Sequence, residues 1–323
     1  MKNIRQKIYA YGILRFRFLW LTPCFFIIVL YWGVSSQVRA AVTWEQILTQ
    51  AAAPPADNRF KYGRVSLHQY GDLRLPPGNG PFPVAVVIHG GCWSSEYTQR
   101  DIANLSAALT RKGIATWTLE FRRVGNIGGG WPGTFLDVAG GTDFLHSIAA
   151  EYSLDLDRVI AVGHSSGGHL ALWLGLRHNL PASSELYAPD PLRLRGVVSL
   201  AGITDIRTYG AGAGVCNRAV TALMGGPARR APGRYRQANP VDLLPAGIPV
   251  VLLYGSSDTI VAPGQSRVFA RAARNSGDEV ELLALKRAGH FDLIATFSEH
   301  WRTVEREIVK LLQINGSHAD NVP

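Results

Sequence analysis

Residues 162 to 169 read VGHSSGGH and follow directly on the apolar run Arg158-Val159-Ile160-Ala161-Val162. An ordinary turn needs one glycine for a positive φ angle. Here Gly163, Gly167 and Gly168 bracket Ser165 on both sides, so the backbone is expected to pass very close to something. The run before the serine reads as a buried strand, and Ser166 to Leu176 behind it reads as a helix. Gly163-His164-Ser165-Ser166-Gly167 is therefore G-x-S-x-G set between a strand and a helix, the sharp turn that lifts a serine hydroxyl off the end of a sheet as a nucleophile.

The same alternation extends outward in both directions. Strands are expected at Arg64–Tyr70, Val84–Ile88, Ile114–Leu119, Arg158–Val162, Leu194–Leu200, Pro249–Tyr254 and Glu279–Leu285. Helices are expected at Gln99–Lys112, Phe135–Ala149, Ser166–Leu176, Gln265–Asn275 and Ser298–Leu312. In the last, Phe297, Trp301, Val304, Ile308, Leu311 and Leu312 recur at threes and fours, the apolar stripe of a helix packed on a core. Near-continuous apolar strands separated by helices predict an α/β fold, a mostly parallel central sheet with helices on both faces. Ligands then sit at the carboxyl ends of the strands. Thr204 to Gly247 is the one real insertion, with room for one or two short helices over the site and none for a large lid domain.

A serine hydroxyl is a weak nucleophile at neutral pH and needs a base, itself oriented by a third group. His290, in Ala288-Gly289-His290-Phe291-Asp292, follows the strand Glu279–Leu285, and Asp258 follows Pro249–Tyr254. Serine, acid and histidine thus occur in the chain order this kind of sheet uses, each at a strand end. Asp205, after Leu194–Leu200, is the rival acid, and Asp292 stands too close to His290 along the chain. Negative charge developing on a carbonyl oxygen needs preplaced N–H donors. His89-Gly90-Gly91-Cys92-Trp93, after Val84–Ile88, offers those of Gly90 and Gly91, to be joined by the N–H of Ser166. Trp93 and Trp131 are expected as pocket walls, and His164 and His169 as packing or polar support.

With the elbow, the triad order and the His-Gly-Gly-x-Trp loop in place, residues 60 to 313 resemble the α/β-hydrolases of the esterase and lipase group. The resemblance is to small acyl hydrolases that include carboxylesterases, feruloyl-esterase-like domains and arylformamidases. It implies a serine hydrolase acting on a small-molecule ester through Ser165, Asp258 and His290, with no metal and no cofactor. Cys92 departs from the His-Gly-Gly-Gly version of the loop. An arylformamidase or small peptidase would use the same triad, and a noncatalytic binding module on the same fold is the alternative of another class.

The chain has 323 residues and a formal net charge of +9. Lys2, Arg5, Lys7, Arg15 and Arg17 precede the apolar run Phe18 to Val34, which ends before Val38-Arg39-Ala40. Basic, apolar and small residues in that order predict a signal peptide over 1–40 cleaved after Ala40, or an uncleaved anchor. That leader holds six of the basic side chains and no acid, so 9 less 6 leaves +3 for the remainder. The positive charge therefore reads as an export signal rather than a nucleic-acid surface. The protein is expected in the periplasm or outside the cell, touching membrane only if the leader is uncleaved. Residues 41–59 are expected as a linker, 60–315 as the hydrolase domain and 316–323 as a frayed tail. Cys92 and Cys216 can form a disulfide in an oxidising compartment or stay as two buried thiols.

Overall fold

The computed structural model describes residues 40–313. The expected leader and the frayed tail lie outside the described residues. Eight strands, β1 (Asn58–Lys61), β2 (Tyr70–Arg74), β3 (Phe82–Ile88), β4 (Ala115–Glu120), β5 (Leu154–His164), β6 (Gly196–Leu200), β7 (Val250–Gly255) and β8 (Val280–Leu285), form one sheet in the order β1-β2-β4-β3-β5-β6-β7-β8. β1 pairs antiparallel with β2, and β2 with β4. From β4 to β8 every pairing is parallel. The helices are α1 (Trp44–Thr49), α2 (Ala103–Thr110), α3 (Gly133–Asp143), α4 (Leu145–Ile148), α5 (Ser166–Leu176), α6 (Ile206–Gly210), α7 (Val215–Met224), α8 (Pro232–Ala238), α9 (Gly264–Asn275) and α10 (Trp301–Gln313).

The strands read as apolar throughout because both faces of the sheet are covered. Along β3, Val84, Val86 and Ile88 enter one core with α3, α5 and α9, while Ala85 and Val87 enter a second with α2 and α10. β5 divides in the same way, Val159 and Ala161 against Ile160 and Val162. On α10 the predicted stripe is buried from Trp301 to Leu312, but Phe297 precedes the helix and is exposed.

Three expectations need correction. Arg64–Tyr70 is not a strand; it is the loop between β1 and β2, and only Tyr70 joins the sheet. Its alternating Val65 and Leu67 face solvent, 75% and 81% exposed, and the Gln69 carboxamide closes the turn by accepting from the N–H groups of Val65 and Ser66. The stretch 41–59 is not a free linker either. Thr43 and Gln46 form a reciprocal capping box that starts α1, Val42 and Ile47 are buried, and Arg74 donates to the Pro55 carbonyl at 2.9 Å. The insertion 204–247 carries three short helices, α6 to α8, where one or two were expected.

Candidate active site

Ser165 stands between the last residue of β5 and the first of α5, with φ 57° and ψ −119°. That is a costly conformation for a residue with a Cβ, of order 1–3 kcal/mol, and it persists only where the surroundings enforce it. The flanking glycines show how. A Cβ on Gly163 would stand 2.1 Å from the Gly167 carbonyl oxygen, and one on Gly167 would stand 2.2 Å from that of Ile88. Strand and helix are thus pressed together at the turn, leaving no room for side chains at positions 163 and 167. The Ser165 N–H donates to the Leu200 carbonyl at 2.9 Å, which ties the turn to β6.

Asp258 and His290 come together as the chain order predicts. His290 Nδ1 donates to Asp258 Oδ2 at 2.7 Å, in a pair almost fully withdrawn from solvent. Asp258 Oδ1 accepts from the N–H groups of Ile260 and Val261 at 2.8 and 2.9 Å. Burial alone would raise this carboxyl; the His290 hydrogen bond and charge and the two backbone donors outweigh it and hold Asp258 below its ordinary range. In the neutral ring a carboxylate acceptor at Nδ1 fixes the proton there and leaves the lone pair on Nε2. Ser165 and His290 line the same cavity, about 300 Å³, with Gly90 and Gly91. Asp205 is committed elsewhere: its Oδ1 caps α6 and accepts from Asn239 Nδ2 at 3.0 Å. Asp292 accepts from the N–H groups of Val42 and Gly289 and from the Ser298 hydroxyl.

The Gly90–Gly91 loop is fixed from three directions. His89 Nδ1 donates to the Gly90 carbonyl at 2.7 Å, and its ring stacks on Phe121. The Trp93 N–H donates to Ser166 Oγ at 3.3 Å, joining the loop to the start of α5. The Ser166 N–H itself belongs to the first turn of α5, where donors have no carbonyl within the helix to meet. Finally, Cys92 is bonded to Cys216 in α7, so the disulfide left open by the sequence is formed. Cys92 and Trp93 have φ of 55° and 54°, so a third glycine would be relaxed where Cys92 is held by a covalent bond.

Trp93 and Trp131 do not line the cavity. Trp93 is buried beneath the loop with Nε1 donating to His169 Nδ1 at 3.3 Å, and Trp131 Nε1 donates to Glu185 at 2.8 Å. The aromatic walls are instead Trp44, Tyr97 and Phe291. Phe291 was within reach of sequence reading as the neighbour of His290, and the capping-box spacing from Thr43 to Gln46 signals the helix that brings Trp44.

The two auxiliary histidines are polar supports. His164 Nε2 donates to the His290 carbonyl at 3.0 Å, and His169 Nε2 donates to the Ala238 carbonyl at 2.9 Å. Burial, reinforced by His290, pushes His164 down to about 3, and burial pushes His169 down to about 4. Both values lie below the usual imidazole value of about 6.5, so the unfolded chain takes up these protons first as pH falls. The stability supplied by the two neutral rings is whole above about pH 6.5 and is lost progressively toward pH 4 and 3. Each ring contributes a slope of up to about 1.4 kcal/mol per pH unit inside its window. Urea unfolding between pH 6 and 4.5 should therefore be shallower in pH for His169→Gln, which keeps a neutral donor and acceptor, than for wild type. Equal slopes would show that His169 is not buried neutral.

The sheet order and the strand-end placement of serine, acid and histidine define an α/β-hydrolase fold. The match of residues 72–272 to the BD-FAE family model places the chain in that family. Esterase LipQ of Mycobacterium tuberculosis is 25% identical over 69% of this chain and 53% of its own length. A probable isoprenylcysteine alpha-carbonyl methylesterase of Oryza sativa is 25% identical over 84% of this chain and 61% of its own. The chain thus spans about half to three fifths of the length of these curated relatives. Among solved structures, esterase B from Lactobacillus rhamnosis superposes with a TM-score of 0.70 at 18% identity, covering 83% of this chain and 90% of that one. A truncated form of a carbohydrate esterase from gut microbiota gives 0.68 at 19%, covering 81% of this chain and 99% of that one.

Proposed function

We propose that this protein is an exported serine hydrolase that cleaves carboxylic esters of small acyl groups. The observation that carries the reading is the 2.7 Å bond from His290 to a buried Asp258, with His290 opening onto the same cavity as Ser165 on its forced turn. His290 Nε2 takes the Ser165 proton as Oγ attacks the ester carbonyl. The N–H groups of Gly90, Gly91 and Ser166 meet the oxyanion, where losing one donor typically costs a hundred- to a thousandfold in rate, roughly 3–4 kcal/mol. The C–O bond breaks, the alcohol leaves with the proton from His290, and water releases the acyl group by the same steps. A cavity of about 300 Å³ is at the small end of ligand pockets, which supports a short acyl group. Esterase relatives support the ester bond as the target. The leader sequence supports export, as does a disulfide, a bond that persists in oxidising compartments.

A fluorophosphonate probe should form a single adduct on Ser165 of the purified protein. Short-chain aryl esters should be turned over faster than an aryl formamide. Correctly folded protein that takes no adduct and turns over no ester would instead be a binding module.

A further inference from the structure

We propose that Trp44, on the short helix α1 ahead of the sheet, is a specificity-determining wall of the catalytic cavity that limits the length of the apolar group bound there. The inference rests on the ester-hydrolase reading above and adds to it a residue far from the motifs.

Trp44 bridges the two loops that carry the proposed chemistry. On one side its ring lies 5.4 Å from that of Phe291, the residue after His290. On the other it lies 5.4 Å from Tyr97, edge to face. Tyr97 in turn rests on Gly91, where a Cβ would stand 2.3 Å from the tyrosine's own. The indole therefore closes the gap between the histidine loop and the Gly90–Gly91 loop, and it lines the cavity beside Ile102 and Ile294.

The segment is seated, not merely near. Asp292 Oδ2 accepts from the Val42 N–H at 3.0 Å and from the Gly289 N–H at 2.8 Å, so one buried carboxylate holds both the segment and the residue before His290. Ala41 packs against Gly289, where a Cβ would stand 2.7 Å from that of Ala41. Ile47 anchors the far side of α1 in the core with α2 and α10. An acyl chain that extends toward this wall meets a ring backed on two sides by aromatics.

The test compares kcat/KM for p-nitrophenyl acetate, butyrate and octanoate in wild type, Trp44→Ala, Trp44→Leu and Ile47→Asp, with fluorophosphonate labelling of Ser165 in each. Trp44→Ala should raise the octanoate-to-acetate ratio about tenfold or more, mainly through KM for octanoate. Trp44→Leu, which keeps an apolar side chain for docking, should give an intermediate ratio. Ile47→Asp, which unseats α1 with the indole still present, should move the ratio in the same direction. Ratios unchanged within about twofold, or an equal fall for all three esters, overturn the proposal, since uniform losses report no discrimination. If Trp44→Ala fails to fold, the Trp44→Leu ratio decides by the same criterion. Wild type that neither labels nor turns over any ester defeats the hydrolase reading itself, whereas normal wild-type labelling with flat ratios defeats only the role of Trp44.

Discussion

Ser165→Ala should lower kcat for a short-chain aryl ester by about 10⁵- to 10⁶-fold, the loss seen when a serine hydrolase is deprived of its nucleophile. The fold should be nearly indifferent to the change. Alanine makes the same demand on the backbone at φ 57° as serine does, so the cost of the turn is neither added nor relieved. Unfolding free energy should move by less than about 1 kcal/mol. What survives is the cavity, the oxyanion donors and substrate binding, enough for a residual rate above that of water. Steady-state assays with fluorophosphonate labelling read the result directly. A variant that keeps more than a few percent of wild-type turnover would remove Ser165 from the chemistry and require another nucleophile.

Asp258→Asn should cost on the order of 10⁴-fold in kcat with little loss of fold. The geometry explains how the damage arises. The Ile260 and Val261 N–H groups demand an acceptor on one arm of the side chain, so the amide oxygen takes the place of Oδ1 and the amide nitrogen takes that of Oδ2. A donor then faces His290 Nδ1, where a carboxylate oxygen had accepted at 2.7 Å. The imidazole must put its proton on Nε2, and the nitrogen needed as a base becomes a donor. Labelling of Ser165 should slow in parallel with turnover. The matching change at the rival acid, Asp205→Asn, should leave kcat within a few-fold, because that carboxylate caps α6 and meets Asn239 rather than His290. The opposite ranking would reassign the acid.

The parallel sheet, the turn at Ser165 and the meeting of Asp258 with His290 were legible because each is written locally. β-branched runs of strand length need no distant information, and G-x-S-x-G between such a run and a helix has one steric solution. Asp258 and His290 followed from their place after successive strands. The pocket walls were not legible. Trp93 sits next to Gly90 and Gly91 in sequence, yet its ring, on a residue with positive φ, meets His169 and does not line the cavity. Trp44 reaches the cavity from more than a hundred residues ahead of Ser165, on a segment whose alanines and prolines look like a tether. The error at Arg64–Tyr70 has a similar origin: alternation marks a strand only if one face is buried, and burial is a property of the neighbours.

The Cys92–Cys216 bond, spanning 124 residues, also sorts Ser165, Asp258 and His290 by covalent topology. Ser165 lies inside the closed ring together with β4, β5 and β6, whereas Asp258 and His290 lie on the open chain beyond it. In the chain-entropy account a ring of this size removes about 5 kcal/mol worth of freedom from the unfolded ensemble, and it does so only for the part of the molecule that carries Ser165. His290 and Asp258 are held to that ring by packing and hydrogen bonds alone.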